Sequence, residues 1–267
     1  MRKAIELLLF SIIFCSCRKE ISLDLEADEN QIVIEATLSA NQESRVIITK
    51  TKSVFSKSNY SGVSDAIVYI TSDRGQILFF SHVGYIEAGY YEPDRDNFDI
   101  WPGITYTLHV EVEGKTYTAI SKMPFPVSLD SISVTKSPLS LPGSTRTNYA
   151  LIPRYTDPKG VKNFYRFVLN SSFESDNNIY LINDNQSDGL VNNTSFLSFS
   201  DLYEGQKLEI EMQMIDEATY DYFYGLRNNI LGQAGGPTPA EPVGNITGGA
   251  IGYFSAYSTS QNEVYIK

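Results

Sequence analysis

Cysteine is almost missing from this chain: Cys15 and Cys17 are the whole supply. Residues so close cannot readily satisfy disulfide geometry, and no further Cys or His stands nearby to complete a metal site. Whatever folds beyond them folds without a disulfide. Histidine is as scarce, with only His82 and His109, so a histidine base or ligand has to be one of these two. His109 falls on the polar face of a regular strand pattern and His82 in a strand-to-turn stretch, positions that suit a surface. His-Glu-x-x-His, Gly-x-Ser-x-Gly and a phosphate loop ending in Lys and Ser/Thr are all absent. The run Gly248-Gly249-Ala250-Ile251-Gly252 precedes a strand pattern, so it lacks the helix N-terminus that holds phosphate. Close strand packing or a bulge accounts for it. No basic block relieves a formal net charge of −11, a balance that repels nucleic acid and anionic lipid. No catalytic constellation emerges, and the chain is read as a non-enzyme. A surface hydrolase survives only because the spacing of paired carboxylates is a property of the fold.

What is present starts at the N-terminus. Met1-Arg2-Lys3 supplies positive charge, and an apolar stretch of about a dozen residues follows to Phe14, the layout of a signal peptide. It falls short of the roughly 20 residues that span a bilayer. Cys17, preceded by Ser16 and followed by a polar segment, resembles a bacterial lipoprotein signal in which the thiol is acylated. Phe14 and Cys15 depart from the usual residues, and an ordinary secretory signal with an incidental cysteine is the competing reading. Residues 1–16 are thus expected to be removed and 17–29 to form a lipidated linker. Its acidic residues Glu20, Asp24, Glu26 and Asp28 look like an export tag for the outer face of a bacterial outer membrane.

Beyond the linker, apolar residues recur at period two. Ile32, Ile34, Ala36 and Leu38 share one face. Tyr106, Leu108, Val110 and Val112 do so again, and Glu113-Gly114 then turns the chain back as a hairpin. Shorter runs at 45–50, 66–71 and 77–81 lie between, so residues 30–125 read as an immunoglobulin-like or prealbumin-like β-sandwich. The alternate prolines of Lys122-Met-Pro-Phe-Pro-Val stop the pattern and place a domain boundary there. Residues 126–267 read as a second β-rich domain with one α-helix near 217–231. Asp216 caps that helix, and Thr219, Phe223, Leu226 and Ile230 form its apolar stripe.

Several motifs in order carry a family resemblance. These are Cys17 with Lys19-Glu20-Ile21, the early Ile-Val-Ile-Glu-Ala strand, Gly89-Tyr90-Tyr91, Pro102-Gly103-Ile104-Thr105-Tyr106, Pro126-Val127 with Asp130-Ser131-Ile132, and the C-terminal Asn245-Ile-Thr-Gly-Gly-Ala-Ile-Gly-Tyr-Phe-Ser-Ala-Tyr-Ser. Together they resemble the Bacteroidota lipoprotein family catalogued as domain of unknown function 4249, over nearly the whole mature chain. The resemblance implies a position at the outer membrane beside a TonB-dependent transporter, and carries no catalytic residues.

Candidate contact residues are aromatics outside regular alternation: Trp101, Tyr90, Tyr91, and Tyr222 and Tyr224 on the helix. Tyr222 and Tyr224 cannot both face the core that Phe223 faces. Two acidic stretches are calcium candidates. In the first, Asp184 and Asp188 stand at alternate positions of a loop with Gly189 sixth, but Ser195 occupies the twelfth place, where a bidentate Glu belongs. In the second, Asp94 and Asp96 flank Arg95. Ser131 lies in a motif similar to O-glycan acceptors of that phylum. No other cofactor is expected. The sequence-level expectation is a lipid-anchored, surface-exposed accessory protein that binds a small-molecule, peptide or glycan ligand for a TonB-dependent transporter, or caps it. A structural or adhesive surface module is the alternative. Cys17→Ala is expected to abolish incorporation of labelled palmitate and free the protein from membranes. Label retained by the variant refutes acylation at this sulfur.

Overall fold

The computed structural model describes residues 31–52, 61–84, 89–94, 98–137, 149–171, 178–198, 202–232 and 241–267. Sixteen strands and one helix are seen among them. The first half holds β1 (Ile32–Ser39), β2 (Arg45–Lys50), β3 (Ser61–Gly62), β4 (Ile67–Ser72), β5 (Ile77–His82), β6 (Tyr90–Pro93), β7 (Thr105–Val112) and β8 (Lys115–Lys122). The second holds β9 (Ser131–Lys136), β10 (Tyr149–Arg154), β11 (Phe164–Ser171), β12 (Tyr180–Asn183), β13 (Phe196–Ser198), β14 (Lys207–Ile215), α1 (Glu217–Gly232), β15 (Ile246–Thr247) and β16 (Ile251–Tyr265). The fold is mainly β with one helix.

Alternation decides the inner faces. Tyr106, Leu108, Val110 and Val112 of β7 are all buried while Thr105, Thr107, His109 and Glu111 are not. Glu113 and Gly114, both at positive φ (51° and 76°), make the tight return into β8. One curled sheet runs β12-β11-β14-β16-β1-β2-β6-β5-β4-β7-β8-β15, with β3 added to β2, and a small sheet β13-β10-β9 lies apart. The larger core gathers Ile34, Ile48, Ile70, Leu108, Met123 and Phe254 inside the curl. A second core packs Leu151 and Tyr149 of the small sheet with Tyr165, Phe167, Ile210 and Met212. The Pro-rich stretch carries the chain from one to the other, with Met123 in the first core and Val127 and Leu129 in the second.

The long last strand joins the halves. Its first part pairs parallel with β1 (Ile34 opposite Gly252, Leu38 opposite Ala256) and its second antiparallel with β14 (Met212 opposite Ser260). The strand runs on to Tyr265, although residues 258–263 are polar on both faces and show no apolar period to announce it. Gly252, at φ 114°, sits where an added Cβ would lie 2.0 Å from the Ile34 carbonyl oxygen. Gly252 and Gly248, whose added Cβ would lie 2.8 Å from the Thr116 carbonyl oxygen, therefore serve close strand packing, while Gly249 has open space beside it. Asn245 clips the curl shut: its Nδ2 donates to the carbonyls of Ile120 (3.1 Å) and Phe254 (2.8 Å), and its Oδ1 accepts from Phe254 N (2.9 Å).

Asp216 caps α1, its Oδ1 accepting from Thr219 N at 2.9 Å, while its Oδ2 accepts from Ser121 Oγ at 2.6 Å and ties the helix start to β8. The expected stripe needs correction. Thr219, Tyr222 and Phe223 are buried, whereas Ile230 is 54% exposed. The helix docks by its first two turns against Tyr253 (4.9 Å between the Phe223 and Tyr253 rings), and its later turns leave the sheet. Strand β14 is covered on both faces, for from Ile210 onward every residue is buried.

Gly252→Ala is expected to cost about 3 kcal/mol, since strained φ and a backbone clash coincide. Gly114→Ala, with nothing within 4 Å of its added Cβ, is expected to cost only about 1 kcal/mol. Urea melts of the two variants measure the difference.

Candidate functional site

Of the sequence-singled aromatics of the first half, Tyr90 and Trp101 lie beside the residues of a cleft at one end of the sheet. There the turn after β1 (residues 40–44), the end of β6 and Ile100 enclose a cleft of about 310 Å³ whose walls include Gln42, Glu43, Glu92 and Pro93. The strand periodicity that sends Val46 inward places Arg45 outward. Tyr90 backs the cleft and donates from its hydroxyl to Glu43 Oε1 at 2.9 Å. Burial, followed by that bond and by the Glu43 and Glu92 charges, pushes the Tyr90 phenol up to about 12, against a smaller opposing pull from Arg45.

Tyr91, by contrast, is a core residue at 1% exposure. Its hydroxyl donates to the Val63 carbonyl (2.9 Å) and accepts from Ala66 N (3.0 Å), and the His82 ring meets its own at 5.4 Å. Burial also removes Tyr90 and Tyr222 from any contact surface. Trp101 is 54% exposed, held by its backbone: its N–H donates to Tyr106 Oη (2.8 Å), which donates back to the Trp101 carbonyl (3.2 Å). Of the helix pair, Tyr224 is the exposed one, with the Arg227 guanidinium 5.0 Å from its ring centroid. Trp101 at the cleft end and Tyr224 on the helix thus remain as candidate contact aromatics.

The acidic candidates separate. Asp94 is exposed beyond β6, and Asp96 and Cys17 lie outside the described residues. Asp184 is buried and accepts from Asn163 N at 2.9 Å, while exposed Asp188 accepts from Gly160 N at 2.6 Å, so both fasten their loop to the segment before β11. Ser131 is exposed at the start of β9. Among the described residues no three acidic, histidine or cysteine side chains converge as a metal group, and no helix is long and apolar enough to cross a membrane.

One feature escaped the sequence reading. Ile67, Ile77, Phe79 and Ile120 are each more than half exposed on the outer faces of β4, β5 and β8. In β4 the run Ile-Val-Tyr-Ile is apolar at every position, so period two cannot choose a face. Tyr69 on the same outer face stacks on His109 at 4.6 Å, and His109 Nε2 lies 3.2 Å from Thr71 Oγ1. Partial burial lowers the His109 pKa, so the ring is neutral at pH 7.

The buried phenols yield a pH expectation. Tyr90 and Tyr222 are held up to about 12, each chiefly by burial, against an ordinary 10.0. An acid whose folded pKa is raised keeps its proton longer in the native state, so the contribution of these phenols to stability is constant below pH 10 and is lost as pH rises from 10 toward 12. Denaturant melts between pH 9 and 12, with phenolate absorbance followed in parallel, are expected to show late ionisation coincident with unfolding. Uniform titration of all tyrosines near 10 in the folded protein contradicts it.

No curated protein matches the chain. The family described as a domain of unknown function, DUF4249, matches over residues 18–263. That span takes in the first core, the end cleft, most of the second core and all but the last two residues of the joining strand, and the chain belongs to the DUF4249 family.

Proposed function

We propose that the protein is a lipid-anchored accessory subunit of the outer membrane that binds ligand for, or caps, a TonB-dependent nutrient transporter. The observation that carries this reading is the polarity of the body. The tethering segment enters at the start of β1, beside Lys50, which pairs with Glu113 at 2.6 Å at the β7–β8 turn. The cleft and Trp101 lie at the other end of β1, about 25 Å away for eight strand residues. A body held by acyl chains at the first end turns its cleft away from the bilayer.

Two or three acyl chains hold such a body stably, at about 0.8 kcal/mol per buried methylene. The exposed apolar row on β4, β5 and β8 supplies a second surface, of the kind that marks protein contacts. Co-purification from detergent-solubilised outer membrane tests the reading. A TonB-dependent transporter is expected to be recovered with the wild type, and Trp101→Ala and Tyr224→Ala are each expected to lower recovery several-fold. Recovery of the protein without any transporter refutes it.

A further inference from the structure

The far half of β16 carries an outer face that core packing does not account for. Alternation turns Val264 and the following Ile266 toward the second core. It turns Gln261, Glu263 and Tyr265 outward beside β14, with Gln261 opposite Glu211 and Glu263 opposite Glu209. The strand is clamped from behind: Asn262 Nδ2 donates to the carbonyls of Leu129 (2.9 Å) and Asp130 (3.0 Å), and Ser260 Oγ accepts from Leu129 N (2.9 Å).

Four side chains on this face are wired together. Arg166 of β11 donates from Nη1 to Gln213 Oε1 (2.8 Å), and Gln213 Nε2 donates to Glu211 Oε1 (2.8 Å). Gln261 Nε2 donates to Glu211 Oε2 (3.4 Å). Phe223 of α1 holds the guanidinium from one side, 4.3 Å from its ring centroid. Glu211 and Gln213 are each 7% exposed, whereas Gln261 stands at the surface. A network of this kind fixes the planes of its carboxamides. Beside it lies an open groove of about 430 Å³ walled by Glu209, Gln261, Asn262 and Glu263. Lys207 pairs with Glu263, and Tyr265, directly opposite Lys207, leaves its side chain 54% exposed.

The donors and acceptors select a ligand class. A carboxamide both gives and takes hydrogen bonds in one plane, a carboxylate only accepts, and an ammonium only donates. Adjacent hydroxyls, which do both, match that mixture, and a tyrosine ring offers an apolar body to C–H groups with a polar tip beyond. A metal ion fits poorly, because Glu211 is committed to two carboxamides and Glu263 to Lys207, and among the described residues no three acidic, histidine or cysteine side chains converge. An anionic ligand meets the like charge of Glu209, Glu211 and Glu263.

We propose that the groove on β14 and β16 binds a neutral glycan, with hydroxyls held by Gln261, Glu209 and Glu263 and one sugar ring laid on Tyr265. The site lies on other strands than the end cleft and needs no transporter, so it goes beyond the transporter reading.

The test titrates the full chain, in a detergent without a sugar headgroup, with maltohexaose, cellohexaose, mannohexaose and xylohexaose by calorimetry. At least one is expected to bind. Gln261→Ala and Tyr265→Ala are each expected to weaken that binding about five- to tenfold, the loss of one hydrogen-bonding group or one stacking ring. The distant Asp94→Asn is expected to leave it unchanged. A sulfated heparin hexasaccharide and spermine serve as anionic and cationic probes. Binding of none of the four neutral glycans overturns the proposal, as does affinity unchanged in both groove variants. Tighter binding of either charged probe than of every neutral glycan also overturns it. The two readings fail separately: a co-purified transporter with no glycan bound sinks this site alone, and a bound glycan with no transporter sinks the transporter reading alone.

Discussion

The pairing of the first strand with the last is the constraint on which the rest of the structure depends. A parallel pair cannot close through a hairpin, and here over two hundred residues separate Ile34 from Gly252. The pairing therefore holds only because the chain between returns both strands to the same place. Gly252 permits the contact, since its missing side chain leaves the room that the Ile34 carbonyl fills. Once the strand is seated, Phe254 and Ala256 enter the first core, and its continuation to Tyr265 templates β14 and through it β11 and β12. The same strand supports α1, whose cap on Asp216 also reaches β8 through Ser121. Two cores and one helix share a single covalent spine.

Tyrosine fills much of this body, and its hydroxyls are used selectively. Tyr91 and Tyr106 spend theirs on backbone groups across loops, converting a phenol into a fixed corner. Tyr90 spends its own on Glu43, coupling the core to the wall of the cleft. Tyr155 and Tyr165 crowd a buried carboxylate instead. Phenols near acids in low dielectric keep their protons, so these groups are neutral fillers and donors at ordinary pH. Among the described residues the acidic side chains are thus mostly out of the core, with Asp157, Asp184 and Glu211 the buried exceptions.

Much of the fold is legible in one-dimensional pattern. Period two is clean in β1, β7 and β14, each of which shows one apolar face over most of its length, and Asp216 reads as a cap because its side chain needs only local geometry to find the Thr219 N–H. The pattern falters where burial is two-sided or absent. Strand β4 is apolar over its first four residues, β16 is polar in its second half, and α1 docks by two turns, so Ile230 at helical spacing is left outside. The candidate sites follow the same division. Trp101, Tyr90, Tyr91, Tyr222 and Tyr224 stand alike as contact candidates in the sequence; Trp101 and Tyr224 are exposed, while Tyr90, Tyr91 and Tyr222 lie under other elements, which no spacing rule reports.

From its own order of residues the chain determined a mostly β body, its main hairpin, its helix cap and its family. Those properties are written in neighbours within a few positions, where sterics and local hydrogen bonds act. Tertiary structure alone decided which tyrosines meet water, that the end cleft lies at the far end of β1 from Ile32, and that Asp157 stands against the loop 184–189. Each of those joins residues distant in sequence, and the free energy of such contacts depends on burial, which exists only once the chain has closed on itself.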